Sequence, residues 1–223
     1  MSFSNTACLV SFLLLIFSQG LRAQSNYPSQ WWAPVPRDGA PSWEILPQDA
    51  GPGEVVLSKR HELGVFSNLG EAHFVYDGVR YNSVEGLWQM MKYPDPMWDQ
   101  DPRHNLAVGV WPYTREQVMQ LVGFESKRAG DEANKIYKTY GLSLVSYQGR
   151  AFDYKDMGPG SEIHYQIIRE ATRQKILQNP EVRALLIKTK GLKLIPDHNA
   201  GTGKPKSYYY CDILMDLRDH ELI

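Results

Sequence analysis

The order of breaks along this chain restricts its fold more than any other feature. Prolines, glycines and cap residues cut it into five or six helical stretches and a few short strands, and no strand alternates regularly with a helix. Without that alternation a doubly wound parallel sheet is excluded. The pattern reads as an α+β fold, a mainly helical single domain with a few short β-strands. Strands are expected at 54–58 and 192–195, and Asp77-Gly78 between β-formers predicts a hairpin over 74–81. The hairpin runs directly into a helix over 81–93, which Pro94 stops. Residues 94–112 read as loop. Thr114 caps a helix to about Val122 that Gly123 ends, and Ser126 opens another to Tyr140 with Gly141 after it. Ser161 opens a long helix to about Gln178, and Asn179-Pro180 starts the next, with Pro at its first position. Residues 196–207 are an exposed loop, and Asp212 caps a final helix.

The N-terminus stands apart from this pattern. Residues 7–17 are an uncharged apolar run of 11 residues, too short to cross a bilayer comfortably, and small residues follow it. That is the form of a secretory signal peptide cleaved near Ala23, although no Lys or Arg precedes the run; the alternative is a buried N-terminal helix. Export to a secreted or periplasmic location follows from the first reading, with a mature form that does not use the membrane. The expected division is a leader over 1–23, a Pro/Trp-rich extension over 24–53 and one domain over 54–223. The extension carries Trp31, Trp32 and Trp43 among 6 prolines. It reads as an aromatic clamp on the domain, a loose linker or a contact for a partner.

A formal charge of −1 gives no global field to draw nucleic acid or an anionic membrane, so nucleic acid as a partner finds no support. Cys8 would leave with the leader, and the single remaining Cys211 excludes an internal disulfide. No CxxC or HExxH pattern occurs and the 6 histidines are scattered, so no metal and no bound cofactor is expected.

Within the helix predicted over 81–93, Glu85, Gln89 and Lys92 stand at i, i+4 and i+7. At about 100° per residue they project from one face. A carboxylate, an amide and an amine in such a row suit catalysis. Two plainer readings compete. Asn82 and Glu85 have capping-box spacing, and a lysine at a helix C-terminus is favoured by the dipole.

The order of motifs resembles the NADAR family, the N-glycosidases named for association with NAD and ADP-ribose. The resemblance rests on Phe66-Ser67-Asn68, on Asp77-Gly78, and on Tyr81-x-Ser83-x-Glu85-x₃-Gln89-x₂-Lys92. It continues through Lys175-x₂-Gln178-Asn179, Leu185-Leu186-x₂-Thr189 and Ile213-Leu214-Met215-x₂-Arg218, covering about residues 54–222. Two departures accompany it. Gly86 follows the motif glutamate where the family commonly has His, and the loop 196–203 lacks the family's Trp-Gly pair.

The resemblance implies hydrolysis of a ribose C1–N bond in a nucleotide-like or ADP-ribosylated small molecule, the alternative being a catalytically inactive module that binds such a ligand. Glu85 and Lys92 are then the catalytic candidates. Phe66, Ser67, Asn68, Tyr81, Gln89 and Asp197 are the substrate-binding candidates. Glu85 would stabilise oxocarbenium charge or activate water. Lys92 would be a Schiff-base nucleophile or a donor to ribose or phosphate. Asp197 and His198 are candidates to replace a missing acid or base. The cluster Lys188, Lys190, Lys193, Lys204 and Lys206 either attracts an anionic ligand or is a solvated face. Trp88, Leu87 and Met91 are expected in the core. Familiar substrates of the family, riboflavin intermediates and ADP-ribosylated guanine, are intracellular and fit poorly with export.

Overall fold

A computed structural model describes residues 26–199 and 201–222; the leader read over 1–23 lies outside the described residues. Six α-helices carry this part of the chain: α1 (Val84–Met90), α2 (Arg115–Met119), α3 (Gly123–Tyr140), α4 (Pro159–Gln178), α5 (Pro180–Lys188) and α6 (Tyr210–His220). Six short strands form three separate pairs. β1 (Glu54–Val56) lies parallel to β6 (Lys193–Ile195), while β2 (Phe74–Tyr76) with β3 (Val79–Tyr81), and β4 (Val145–Tyr147) with β5 (Arg150–Phe152), are antiparallel hairpins. The α+β class expected from the sequence is the class observed.

Helix α4 is the axis of the fold. Its buried residues His164, Ile167, Ile168, Ala171, Thr172, Lys175 and Ile176 recur at helical spacing, and β2, β5, α1, α5 and α6 all pack on it. Each buried isoleucine contributes about 1.5–3 kcal/mol by leaving water. The helix begins at Pro159, earlier than Ser161 suggests. The Asp156 carboxylate accepts from the N–H groups of Gly158, Gly160 and Ser161, whereas Ser161 Oγ donates to the Gly158 carbonyl. Helix α3 likewise starts ahead of Ser126, which is buried in its first turn and donates to the Gly123 carbonyl. Gly123 therefore opens α3 rather than ending α2. Thr114 does cap α2, in a reciprocal box with Gln117. The hairpin β4–β5 was not expected from the sequence. Asp77 and Gly78 take positive φ at the β2–β3 turn, as a type I′ turn requires.

The extension is packed onto the domain. Trp31 is fully buried and its indole N–H donates to Glu62 Oε1 at 2.7 Å; the Trp32 indole donates to the Glu54 carbonyl at 2.9 Å. Further along, Ile45 N–H donates to the Asp197 carbonyl at 2.8 Å, Glu44 bridges His198, and Arg60 holds the Glu44 carboxylate through two nitrogens. No helix among the described residues is long and apolar enough to cross a membrane.

Candidate active site

Helix α1 is only 7 residues long and starts one residue later than the capping-box reading requires. Ser83 is its N-cap, accepting from the Gly86 N–H at 2.9 Å, and its hydroxyl donates to the Leu121 carbonyl. Asn82 instead sends its amide to the Gln120 carbonyl. Glu85 is thus released from any cap role, and Gln89 Nε2 donates to Glu85 Oε1 at 2.7 Å. Gly86 is explained by packing: a Cβ there would stand 2.9 Å from the Val118 carbonyl oxygen and 3.0 Å from that of Leu121. The family's histidine would have no room, and the departure faces α2.

The C-terminal end of α1 is closed by two buried arginines, Arg103 from the stretch read as loop and Arg115 from the first turn of α2. Arg115 donates to the carbonyls of Met90 and Tyr93, and Arg103 to that of Met91. Asp101 pairs with Arg103 at 2.7 Å and Asp95 with Arg115 at 3.4 Å, so neither guanidinium is buried without a counter-charge. This network fixes the turn that carries Lys92, which lies just past the helix with its N–H on the Gln89 carbonyl.

The other end is set by the loop of Ser67 and Asn68. The Asn68 carbonyl accepts from the Glu85 N–H at 2.9 Å. Lys175, buried without a carboxylate partner among the described residues, donates its ammonium to the carbonyls of Val65, Ser67 and Gly70 at 2.6, 3.0 and 3.3 Å. Burial lowers its pKa to about 7. The motif partners of Lys175 are also structural. Gln178 pairs with both backbone groups of Val75, and Asn179 reaches the His73 carbonyl. Arg218 satisfies the carbonyls of Thr189 and Leu192 beyond α5.

Glu85, Gln89 and Lys92 open onto one cavity of about 1330 Å³, together with Ser67 and Asn68. Trp88 lines it as well, half-buried, in place of the core position expected for it. Phe66 and Tyr81 do not reach the cavity: both rings are buried in the core, Tyr81 stacked on Phe74 at 5.6 Å. Asp197 is also absent from its wall. Its buried carboxylate is engaged by Lys59 Nζ at 2.5 Å and by His198 Nδ1 at 2.9 Å, which pins the divergent loop; His198 and Asn199 take the places on the wall.

Positive charge at the cavity comes from Lys59, Lys92, Lys127 and Lys155, none of them in the cluster read from the sequence. Of that cluster, Lys193 pairs with Glu54 and Lys206 lies 3.6 Å from Glu162. The sequence reading also missed the wall formed by α3. Phe124, Lys127, Asp131 and Asn134 all line the cavity, at i, i+3, i+7 and i+10 of one helical face. That periodicity was legible; what it faced was not. Tyr154, Tyr208 and Tyr210 complete the aromatic side.

Electrostatics separate the two central groups. Burial raises the Glu85 pKa against the opposing pull of the Gln89 hydrogen bond and the Lys92 charge. Burial lowers Lys92 to about 8, opposed by Glu85. Among the described residues Lys92 Nζ has no hydrogen-bond partner and stands 5.9 Å from the centre of the Tyr154 ring. The pair therefore provides a carboxylate held by one amide and an amine that titrates near neutrality. That arrangement suits charge stabilisation and nucleophilic or donor chemistry at a single carbon.

No family model and no curated protein matches the chain. Among solved structures, the NMR structure of the E. coli protein YbiA is similar: 20% identity, 73% of this chain and 80% of that chain covered, TM-score 0.45.

Proposed function

We propose that this protein is an exported N-glycosidase of NADAR type, which hydrolyses the ribose C1–N bond of a nucleotide-like or ADP-ribosylated small molecule. One observation carries the reading: Glu85 and Lys92 meet in one large cavity with their pKa values moved toward each other by burial. As the C–N bond breaks, positive charge grows at C1 and the Glu85 carboxylate stabilises it or takes a proton from the attacking water. Water oxygen bonds to C1, and the departing nitrogen takes up a proton. Gln89 holds the carboxylate in place through its 2.7 Å bond. Lys92 acts as an amine nucleophile at C1 of the opened sugar or as a donor to a ribose hydroxyl or phosphate. The cavity exceeds the ~300–1,000 Å³ of common small-ligand sites and has room for a dinucleotide-sized ligand.

The alternative is a binding module without turnover. It is favoured by the loop over residues 196–199, which Asp197 locks to Lys59 and the extension. A screen of ribosyl and ADP-ribosyl conjugates for base release, read by mass spectrometry and paired with calorimetry, tests both. Base release that disappears in Glu85→Gln supports hydrolysis. Binding without release, or full release by Glu85→Gln, overturns it.

A further inference from the structure

Three tryptophans enter the fold through the extension, and they are treated differently. Trp31 and Trp32 use their indole N–H groups in hydrogen bonds and lie in an aromatic cluster with Tyr27, ring centres 6.1–6.3 Å apart. Trp43 does neither. It is 53% exposed, yet it lines the cavity of Glu85 and Lys92. Its backbone is nevertheless held firmly: Glu44 is gripped by Arg60 and bridges His198, and Ile45 is bonded to Asp197. A large ring that lines a cavity, stays half in water and is borne on a segment whose next two residues are held is a ready surface for stacking. On helix α3, Phe124 is 61% exposed and lines the same cavity.

From this we infer that Trp43 is a specificity-determining residue: the extension supplies the platform on which a planar aromatic base of the ligand stacks, while the ribose is held at Glu85, Gln89 and Lys92. This rests on the functional reading above, and it adds that the ligand must carry a base at the Trp43 end. Lys155, and Lys127 beside its partner Asp131, also line the cavity and supply positive charge for phosphate groups linking base and ribose. The extension is then part of the site rather than a linker.

The test is calorimetry on the full-length protein in the Glu85→Gln background, so that turnover does not enter. The probes are ADP-ribose, which carries adenine, and ribose 5-phosphate, which carries no base. The unaltered Trp43 protein should bind ADP-ribose the more tightly. Trp43→Ala should weaken ADP-ribose about 10-fold or more, the range of base–aromatic stacking, and leave ribose 5-phosphate unchanged. Trp43→Phe should restore most of the loss. Equal weakening of both probes, an unchanged ADP-ribose affinity, or no initial preference for ADP-ribose would each overturn the inference. Full hydrolysis by Glu85→Gln would instead strike the catalytic reading and leave the stacking result standing.

Discussion

Gln89 lies against the bare backbone of Gly130: a Cβ on that glycine would stand 1.9 Å from the amide oxygen and 2.2 Å from the amide carbon. Helix α3 therefore gives up a side chain so that Gln89 can reach Glu85. Gly130→Ala should displace the amide and free the carboxylate. Alanine favours the helix by ~1 kcal/mol, which offsets part of the clash. The expected result is a melting temperature close to that of the parent with kcat lowered about 10-fold, the cost of misplacing an orienting group. Parallel melting and steady-state kinetics check it.

Gly86 predicts the opposite balance. Its missing Cβ faces backbone carbonyl oxygens at the C-terminal end of α2 and just beyond it, which cannot swing aside as a side chain can. Gly86→Ala should cost about 1–3 kcal/mol of stability through overpacking and leave ligand affinity unchanged in the folded fraction. Urea denaturation alongside calorimetry separates the two effects.

Lys175 holds the Ser67–Asn68 loop at the cavity without lining the cavity itself. Lys175→Met leaves the carbonyls of Val65, Ser67 and Gly70 without their donor. A loss of about 2–4 kcal/mol is expected from several unsatisfied buried acceptors, set against the burial of an apolar chain. KM should rise more than kcat falls, because Ser67 and Asn68 loosen while Glu85 and Lys92 remain. A fall in kcat alone would assign Lys175 a different role.

Stability should depend on pH in a direction fixed by the two buried lysines. Burial lowers Lys92 to about 8 and Lys175 to about 7, against 10.5 for a free lysine. Between the folded values and 10.5 the unfolded chain binds more protons, so stability rises with pH through that window; below about 7 the cost of both ammoniums is fully present. Urea midpoints measured from pH 7 to about 9.5 should climb, and the climb should flatten in Lys92→Met.

The same lowered value makes Lys92 a partly neutral amine near neutrality. If it is the nucleophile, kcat should rise with pH through about 8 and borohydride should trap a ligand-derived adduct on Lys92. If it is a ribose or phosphate donor, the ammonium is the useful form: affinity should fall through the same pH range and no adduct should form.

What the sequence disclosed follows from the range of each interaction. Gly141, Pro180 and Asp77-Gly78 act within a few residues, and their elements lie where local chemistry set them. The row Glu85, Gln89 and Lys92 was also readable, since helical spacing alone aligns it. Ser126 and Ser161 misled because a nearby group opened the helix first: Asp156 does so for α4, and α3 begins at Gly123, whose N–H bonds to Leu69. Phe66, Tyr81 and Asp197 share motif positions with residues of the cavity, yet burial turns their side chains elsewhere. Arg103 lay in a stretch without periodicity and Arg115 at the start of an expected helix, but only the folded chain brings both to the end of α1. The hairpin β4–β5 was hidden because it turns on Gln148-Gly149, without the Asp-Gly pair that marks the equally short β2–β3.

The parallel pair β1–β6 has a consequence for how the protein is made. It joins segments 139 residues apart, and loops from both sides of that closure line the cavity: Lys59 and Ser67 just after β1, Pro196 and His198 just after β6. Closing so long an interval costs entropy that only the finished pairing returns, which makes this step slow relative to local helix formation. During synthesis α1 and α3 are in hand long before the second wall exists. A chain caught between the two stages has Glu85 and Lys92 in place while the wall of Pro196, His198 and Tyr208 is still missing. A complete cavity, in this order of events, marks the end of folding.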